Sequence, residues 1–294
     1  MRGGCARDRR GPMSWTAPQA KLLPDGKRLH LHHGPIDLIV GVSGEMRDLC
    51  FKRAIDHFQN ILIGLMSELD ALRRPLTSDV CFIDPVAKRM AEAVRSYPDV
   101  FVTPMAAVAG AVADEVLAAT LSDKVPQKAY VNNGGDIAFH LSEGEIFEVL
   151  SPAGLLTITS RDSARGIATS GWQGRSHSLG IADAVSVVAK TAAAADVAAT
   201  LIANATNLPG HTAIGRCPAT LLSPDSDLGK RLVTTHVGHL PALDLDKALQ
   251  AGTRFASDCA ARGLVKTVAI SLQGQSRITQ NSFQSNAAGA LAHA

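Results

Sequence analysis

Hydrophobic and polar positions alternate along the first ordered stretch of the chain. Arg28–His33 and 36–42 each read as a strand, and His33-Gly34-Pro35 between them reads as the turn of a hairpin. The period then lengthens. Leu49, Phe51, Ile55, Phe58, Ile61, Leu62, Leu65 and Leu69 recur at helical spacing, predicting one long helix from Asp48 to Leu72, ended by Arg73-Arg74-Pro75. Asp84-Pro85 predicts a shorter helix to Ser96, and Thr103-Pro104 opens another, rich in Ala and Gly, from Met105 to Leu121. Strands are expected at 129–131, 137–141, 146–150, 155–159, 167–168 and 184–189, followed by an Ala-rich helix from Thr191 to Asn204. A strand at 232–236, a helix at 245–261 and a strand at 265–272 complete the pattern. Hairpins separated by helices favour an α+β fold with mainly antiparallel sheets. Both halves run strands, helices, strands, which leaves room for a diverged internal duplication.

Three regions follow from this reading: a loose N-terminal extension (1–25), a single α+β domain (26–278) and a disordered tail (279–294). Composition narrows the picture. Of 294 residues, 46% are apolar and only 4% aromatic, so the core is expected to be Ala, Val, Leu and Ile. Few rings argue against a stacking platform for single-stranded nucleic acid, and a net charge of +2 demands no polyanionic partner. The five cysteines are dispersed, without CxxC, which suits reduced thiols in a cytoplasmic protein; all but Cys5 are expected to be buried. The basic start precedes no apolar h-region, Met13-Ser14 reads as an alternative translation start, and no stretch reads as a membrane span.

Four segments can carry chemistry. Asn133-Gly134-Gly135-Asp136 suits a tight hairpin turn, and equally a turn whose exposed N–H groups hold a polar ligand or phosphate. Thr169-Ser170-Gly171 places hydroxyls beside a glycine that allows close approach. Asp196 and Thr200 are four residues apart, on one face of the Ala-rich helix. A carboxylate and a hydroxyl are apt donors for Mg²⁺; a salt bridge or cap at Asp196, with Thr200 bonded to its own helix, explains them as well. Gly110 precedes Asp114 by four residues, either as a packed helix face or as part of a ligand site. His236 and His239 are three apart but lack further zinc-like ligands nearby, and His30, His32 and His33 are expected at the surface.

Together and in this order, the four segments resemble the ApbE-like superfamily, whose best-known members are FAD:protein FMN transferases. Asn133-Gly134-Gly135-Asp136 is similar to its N-x-G-G-D segment, 168–171 to its T-S-G segment, 195–200 to its A-D-A-x-A-T helix, and Gly110 to Asp114 to the latter part of K-G-x-x-x-D. The resemblance implies a T-fold-like architecture, an FAD or related flavin nucleotide, and Mg²⁺ on Asp196 and Thr200. It also implies contacts to that ligand from Gly110, Asp114, Asn133, Gly134, Gly135, Asp136, Thr169, Ser170 and Gly171. Two departures stand out. The lysine of K-G-x-x-x-D is here Ala109, and H-x-I-x-D-P-x-T-G is replaced by 175–183, which offers His177 and Asp183 as candidate catalytic groups. The pattern resembles a shorter, uncharacterised branch of the superfamily. It leaves two functions open: FMN transfer to a hydroxyl of an acceptor protein, or ligand binding without transfer. A homo-oligomer is an expectation from the resemblance.

Overall fold

The computed structural model describes residues 17–77, 79–151 and 154–280. Strands β1 (Gln19–Leu22), β2 (Arg28–His33) and β3 (Ile36–Ser43) lead into helices α1 (Arg47–Phe58), α2 (Ile61–Ser67), α3 (Leu69–Leu72) and α4 (Pro85–Arg95). A 3₁₀ turn at Pro104–Ala107 feeds α5 (Val108–Thr120), after which come β4 (Lys128–Asn133) and β5 (Asp136–Leu141). A separate hairpin, β6 (Ile146–Ser151) and β7 (Gly154–Thr159), precedes β8 (Gly166–Ser170), β9 (Ala184–Ala189) and α6 (Ala192–Ala205). The chain continues through β10 (Ile214–Pro218), α7 (Ala219–Leu222), β11 (Leu232–Val237), α8 (Ala242–Ala261), β12 (Thr267–Leu272) and β13 (Gln275–Gln280).

Nine strands form one sheet in the order β1-β2-β3-β4-β5-β8-β9-β12-β13, every neighbouring pair antiparallel. Apart from the edge strand β1, this sheet is one plan laid down twice. A hairpin (β2-β3, then β8-β9) passes through helices to a second hairpin (β4-β5, then β12-β13), whose first strand pairs antiparallel with the strand that entered the helices. The two units meet where β5 pairs with β8 at Ile137↔Ile167 and Ala138↔Gly166.

Alternation along the strands sorts side chains between two faces. On β5, Ala138 joins the large core beneath the helices, whereas Ile137, Phe139 and Leu141 join a smaller cluster covered by the β6-β7 hairpin. There Phe139 and Phe147 stack with centroids 4.6 Å apart. Helix α6 is the centre of the larger core: nine of its residues are buried, on all sides, as expected of an enclosed helix. Its close seating depends on glycine. A Cβ at Gly110 would collide with the Ala192 carbonyl, and one at Gly166 with the Thr191–Ala192 peptide.

Several expectations are corrected. The single helix expected from Asp48 to Leu72 is three, interrupted at Gln59-Asn60 and again at Glu68. Glu68 turns the chain by accepting the Ile83 and Asp84 N–H groups, each at 2.9 Å. Gln19–Leu22, read as part of a loose extension, pairs with β2 as an edge strand, and β13 runs to Gln280, past the expected start of the tail. His33 is buried against Phe58 rather than at the surface, while Cys81 is exposed rather than buried. Cys5, Met13 and most of the tail lie outside the described residues. No helix among the described residues is long and apolar enough to cross a membrane.

Candidate functional site

The β4-β5 connection is a two-residue hairpin. Asn133 pairs with Asp136, and Gly134 and Gly135 occupy the turn at φ +65° and +115°, a conformation strained for residues with side chains. The Gly135 N–H donates to Asn132 Oδ1 at 2.8 Å, which locks the turn. Asn133 is buried and donates its side-chain amide to the Ala109 carbonyl at 3.1 Å, tying the hairpin to the start of α5. The turn chemistry read in the sequence is therefore correct, and the same turn forms one wall of a cleft.

The opposite wall comes from β8 and α6. Asp136, Thr169, Ser170, Asp196 and Thr200 all line one cavity of about 110 Å³, with Asn133, Gly134, Gly171 and Ala109 around it. Thr169 donates its N–H to Asp136 Oδ1 at 3.2 Å and shares a hydroxyl hydrogen bond with Ser186 at 2.9 Å. Asp196 accepts the Gly110 N–H at 3.1 Å, so its carboxylate sits against the N-terminal turn of α5. Capping and cleft-lining, which the sequence left as alternatives, coincide in this residue.

Two carboxylates thus face the same small space. Burial pushes the Asp136 pKa up to about 7, against the opposing pull of the Thr169 N–H and the Arg175 charge. Asp196 is raised well above the carboxylate range by desolvation first and by the Asp136 charge second, and the Gly110 and Ala109 amides offset this only in part. A divalent cation would remove that penalty. The donors are two carboxylates and the Thr200 hydroxyl, all hard oxygens, with room left for phosphate oxygen or water, which fits Mg²⁺. Among the described residues no three His, Cys, Asp or Glu side chains gather around one metal position, so ligand or solvent oxygens would have to complete the shell. The cleft is smaller than the ~300–1,000 Å³ usual for small-molecule pockets. It fits a cation with a phosphate group and not a whole flavin nucleotide.

Not every expected residue reaches the cleft. Asp114 points the other way: its oxygens accept the Ala192 and Ala193 N–H groups at 3.0 and 2.9 Å, capping α6. Burial raises its pKa, and those two N–H bonds counteract the rise. Gly110 serves helix contact and presents its N–H to Asp196. Gly135 faces an adjoining trough of about 330 Å³ with Asp37, Ile39 and Asn132. Neither candidate catalytic group lines the cleft. His177 Nε2 meets the Ser223 hydroxyl at 3.1 Å, and Asp183 accepts from the Trp172 indole at 3.1 Å and the Gln273 N–H at 2.6 Å. The residue that sequence reasoning passed over is Arg175, which lines both cleft and trough. No spacing in the sequence singles it out, since Arg165 lies as close to the T-S-G segment on its other side.

A family model described as AbpE bacteria matches residues 20–278, nearly the whole described chain. The chain belongs to this AbpE family. It is an ApbE-like protein by that match. A UPF0280 protein of Methanobrevibacter smithii is 36% identical over 163 residues, covering 53% of this chain and 65% of that protein. A UPF0280 protein of Methanococcoides burtonii is 35% identical over 144 residues, covering 47% and 59%. The chain spans less than two-thirds of the length of either relative. Among solved structures, a histidine-to-glycine variant of the flavin transferase ApbE from Vibrio cholerae gives a TM-score of 0.46 at 10% identity, covering 92% of this chain and 98% of that one. The ApbE protein of Thermotoga maritima gives 0.43 at 12% identity, covering 92% and 97%.

Proposed function

We propose that this AbpE-family protein binds a flavin or related nucleotide through its phosphate groups, in a manner dependent on Mg²⁺. The observation that carries the reading is the convergence of Asp136, Asp196 and Thr200 with the Gly134 turn and with Thr169 and Ser170 of β8 in one small polar cleft. In this reading Asp196, Thr200 and Asp136 hold the cation. The Ser170 hydroxyl then supplies a donor to phosphate oxygens that the cation does not reach, and the glycine turn lets them approach closely. Bound Mg²⁺ would neutralise and polarise the phosphate. The chain's own groups orient it: the Gly134-Gly135 turn allows close approach, and Asn133 fixes the turn against α5.

The reading stops at binding rather than FMN transfer. The two groups expected to take an acceptor's proton, His177 and Asp183, are both engaged outside the cleft, and in this reading the carboxylates inside it are committed to the cation. Isothermal titration of the full chain with FAD, with and without Mg²⁺, tests the proposal. Binding should require Mg²⁺ and fall at least tenfold in Asp196→Asn. Absence of any Mg²⁺-dependent binding of FAD, FMN or ADP would remove it. Release of AMP from FAD in the presence of an acceptor protein would restore the transferase reading.

A further inference from the structure

The Arg175 guanidinium lies directly over Gly134, so close that a Cβ at that position would run into it. Only glycine lets the arginine occupy this place. From there the side chain borders two spaces at once, the cleft holding Asp136 and Asp196 and the wider trough along Asp37, Ile39 and Asn132. Arg175 is exposed, and among the described residues its guanidinium has no hydrogen-bond or ion-pair partner. Its five N–H donors, in a fixed planar fork, are therefore available to a ligand.

The two spaces differ in what they can take. The cleft admits a cation and little more than one phosphate group, whereas the trough, about 330 Å³, accepts a larger organic group. A ligand spanning both must pass beneath Arg175. Resting on the cation-cleft reading above, we infer that Arg175 is a specificity-determining residue for a pyrophosphate ester. The inner phosphate meets the cation between Asp136 and Asp196. The outer phosphate receives the Arg175 fork, and the esterified group leaves along the trough. Arg175 thereby supplies from the loop after β8 the positive charge that Ala109 does not supply from the start of α5.

The test uses the full chain and three probes: Mn²⁺ alone by electron paramagnetic resonance, then inorganic pyrophosphate and orthophosphate with Mn²⁺ by calorimetry. Arg175→Ala should weaken pyrophosphate binding by about 10- to 100-fold, the range expected for losing a forked, charge-assisted contact. Mn²⁺ and orthophosphate binding should change far less than pyrophosphate binding, the melting temperature should stay unchanged, and Arg175→Lys should fall between the wild type and the alanine variant. Undiminished pyrophosphate affinity in Arg175→Ala, with Mn²⁺ still bound, would overturn the inference and leave the cation site standing. Equal losses for all three probes would also overturn it, since Arg175 would then act on the site as a whole. A wild-type protein that binds neither Mn²⁺ nor pyrophosphate would remove the underlying reading itself.

Discussion

Asp136 and Asp196 share a space that the fold makes expensive to leave ionised, and stability should report it. An acid whose folded pKa exceeds its unfolded one binds more protons when folded, so stability falls as pH rises between the two values. For Asp136 that interval runs from its ordinary 3.8 to about 7. Without Mg²⁺ the protein is expected to lose about 2–4 kcal/mol across it. Asp136→Asn, which can still accept the Thr169 N–H, should flatten that decline, and Mg²⁺ should raise the melting temperature more at the upper end of the interval than at the lower. Calorimetry in matched buffers checks this; a wild type whose stability is level, with no difference from the variant, would contradict it. Glu115 titrates elsewhere. Its carboxyl is held down to about 2, first by His57 and then, against the cost of burial, by Arg89, so its contribution is lost only as pH falls from the ordinary 4.5 through that value. At this scale the glycines, hydroxyls and acids of the cleft were legible because their types are tied to local backbone geometry. Arg175 was not, since its role depends on which long side chain bends over Gly134, and spacing along the chain does not encode that.

The paired helices α5 and α6 explain why Asp114 looked like a ligand residue. Each helix presents a carboxylate to the first turn of the other: Asp114 accepts from Ala192 and Ala193, and Asp196 accepts from Gly110. The two helices approach closely enough that Gly110 lies against the Ala192 carbonyl. The motif therefore encodes helix contact at Gly110 and Asp114 and cleft chemistry at Asp196, a division that follows from which end of each helix faces the β4-β5 turn. Asp114→Ala should cost about 1–2 kcal/mol, as loss of a helix cap does. Mn²⁺ affinity should stay within about twofold, because a surviving Asp196 keeps the donor set. Gly110→Ala should cost about 1–3 kcal/mol by overpacking and should also weaken Mn²⁺ binding, because the amide that orients Asp196 must shift. Chemical denaturation and electron paramagnetic resonance on the same samples separate the two effects. A large loss of Mn²⁺ affinity in Asp114→Ala would return Asp114 to the site. Helix α6 was legible to within a residue at each end because Thr191 caps it, accepting the Ala194 N–H at 3.1 Å, whereas the broken α1–α3 run was not. Its apolar period continues across the breaks, and the interactions that bend it come from Ile83 and Asp84, remote in sequence.

At the scale of the whole molecule, the cleft lies on the seam between the two repeated units. The first unit contributes α5 and the β4-β5 turn; the second contributes the end of β8 and the second and third turns of α6. The repetition was visible as a rhythm of strands and helices, but the order of nine strands was not, since antiparallel pairing across a helical crossover leaves no local signature. Placing the site on the seam has a consequence for how ligation spreads. A ligand that bridges Asp136 of one unit and Asp196 of the other stabilises both against opening and the contact between them most of all. Hydrogen exchange in Mn²⁺ with pyrophosphate should therefore slow at the Gly110, Gly135 and Thr169 amides together, the first two from one unit and the third from the other. The β6-β7 hairpin and the β10-β11 pair, which form their own small sheets, should exchange as before. Protection confined to α6 and β8 would mean that the second unit binds the ligand by itself and that the Gly134 turn is only a neighbour.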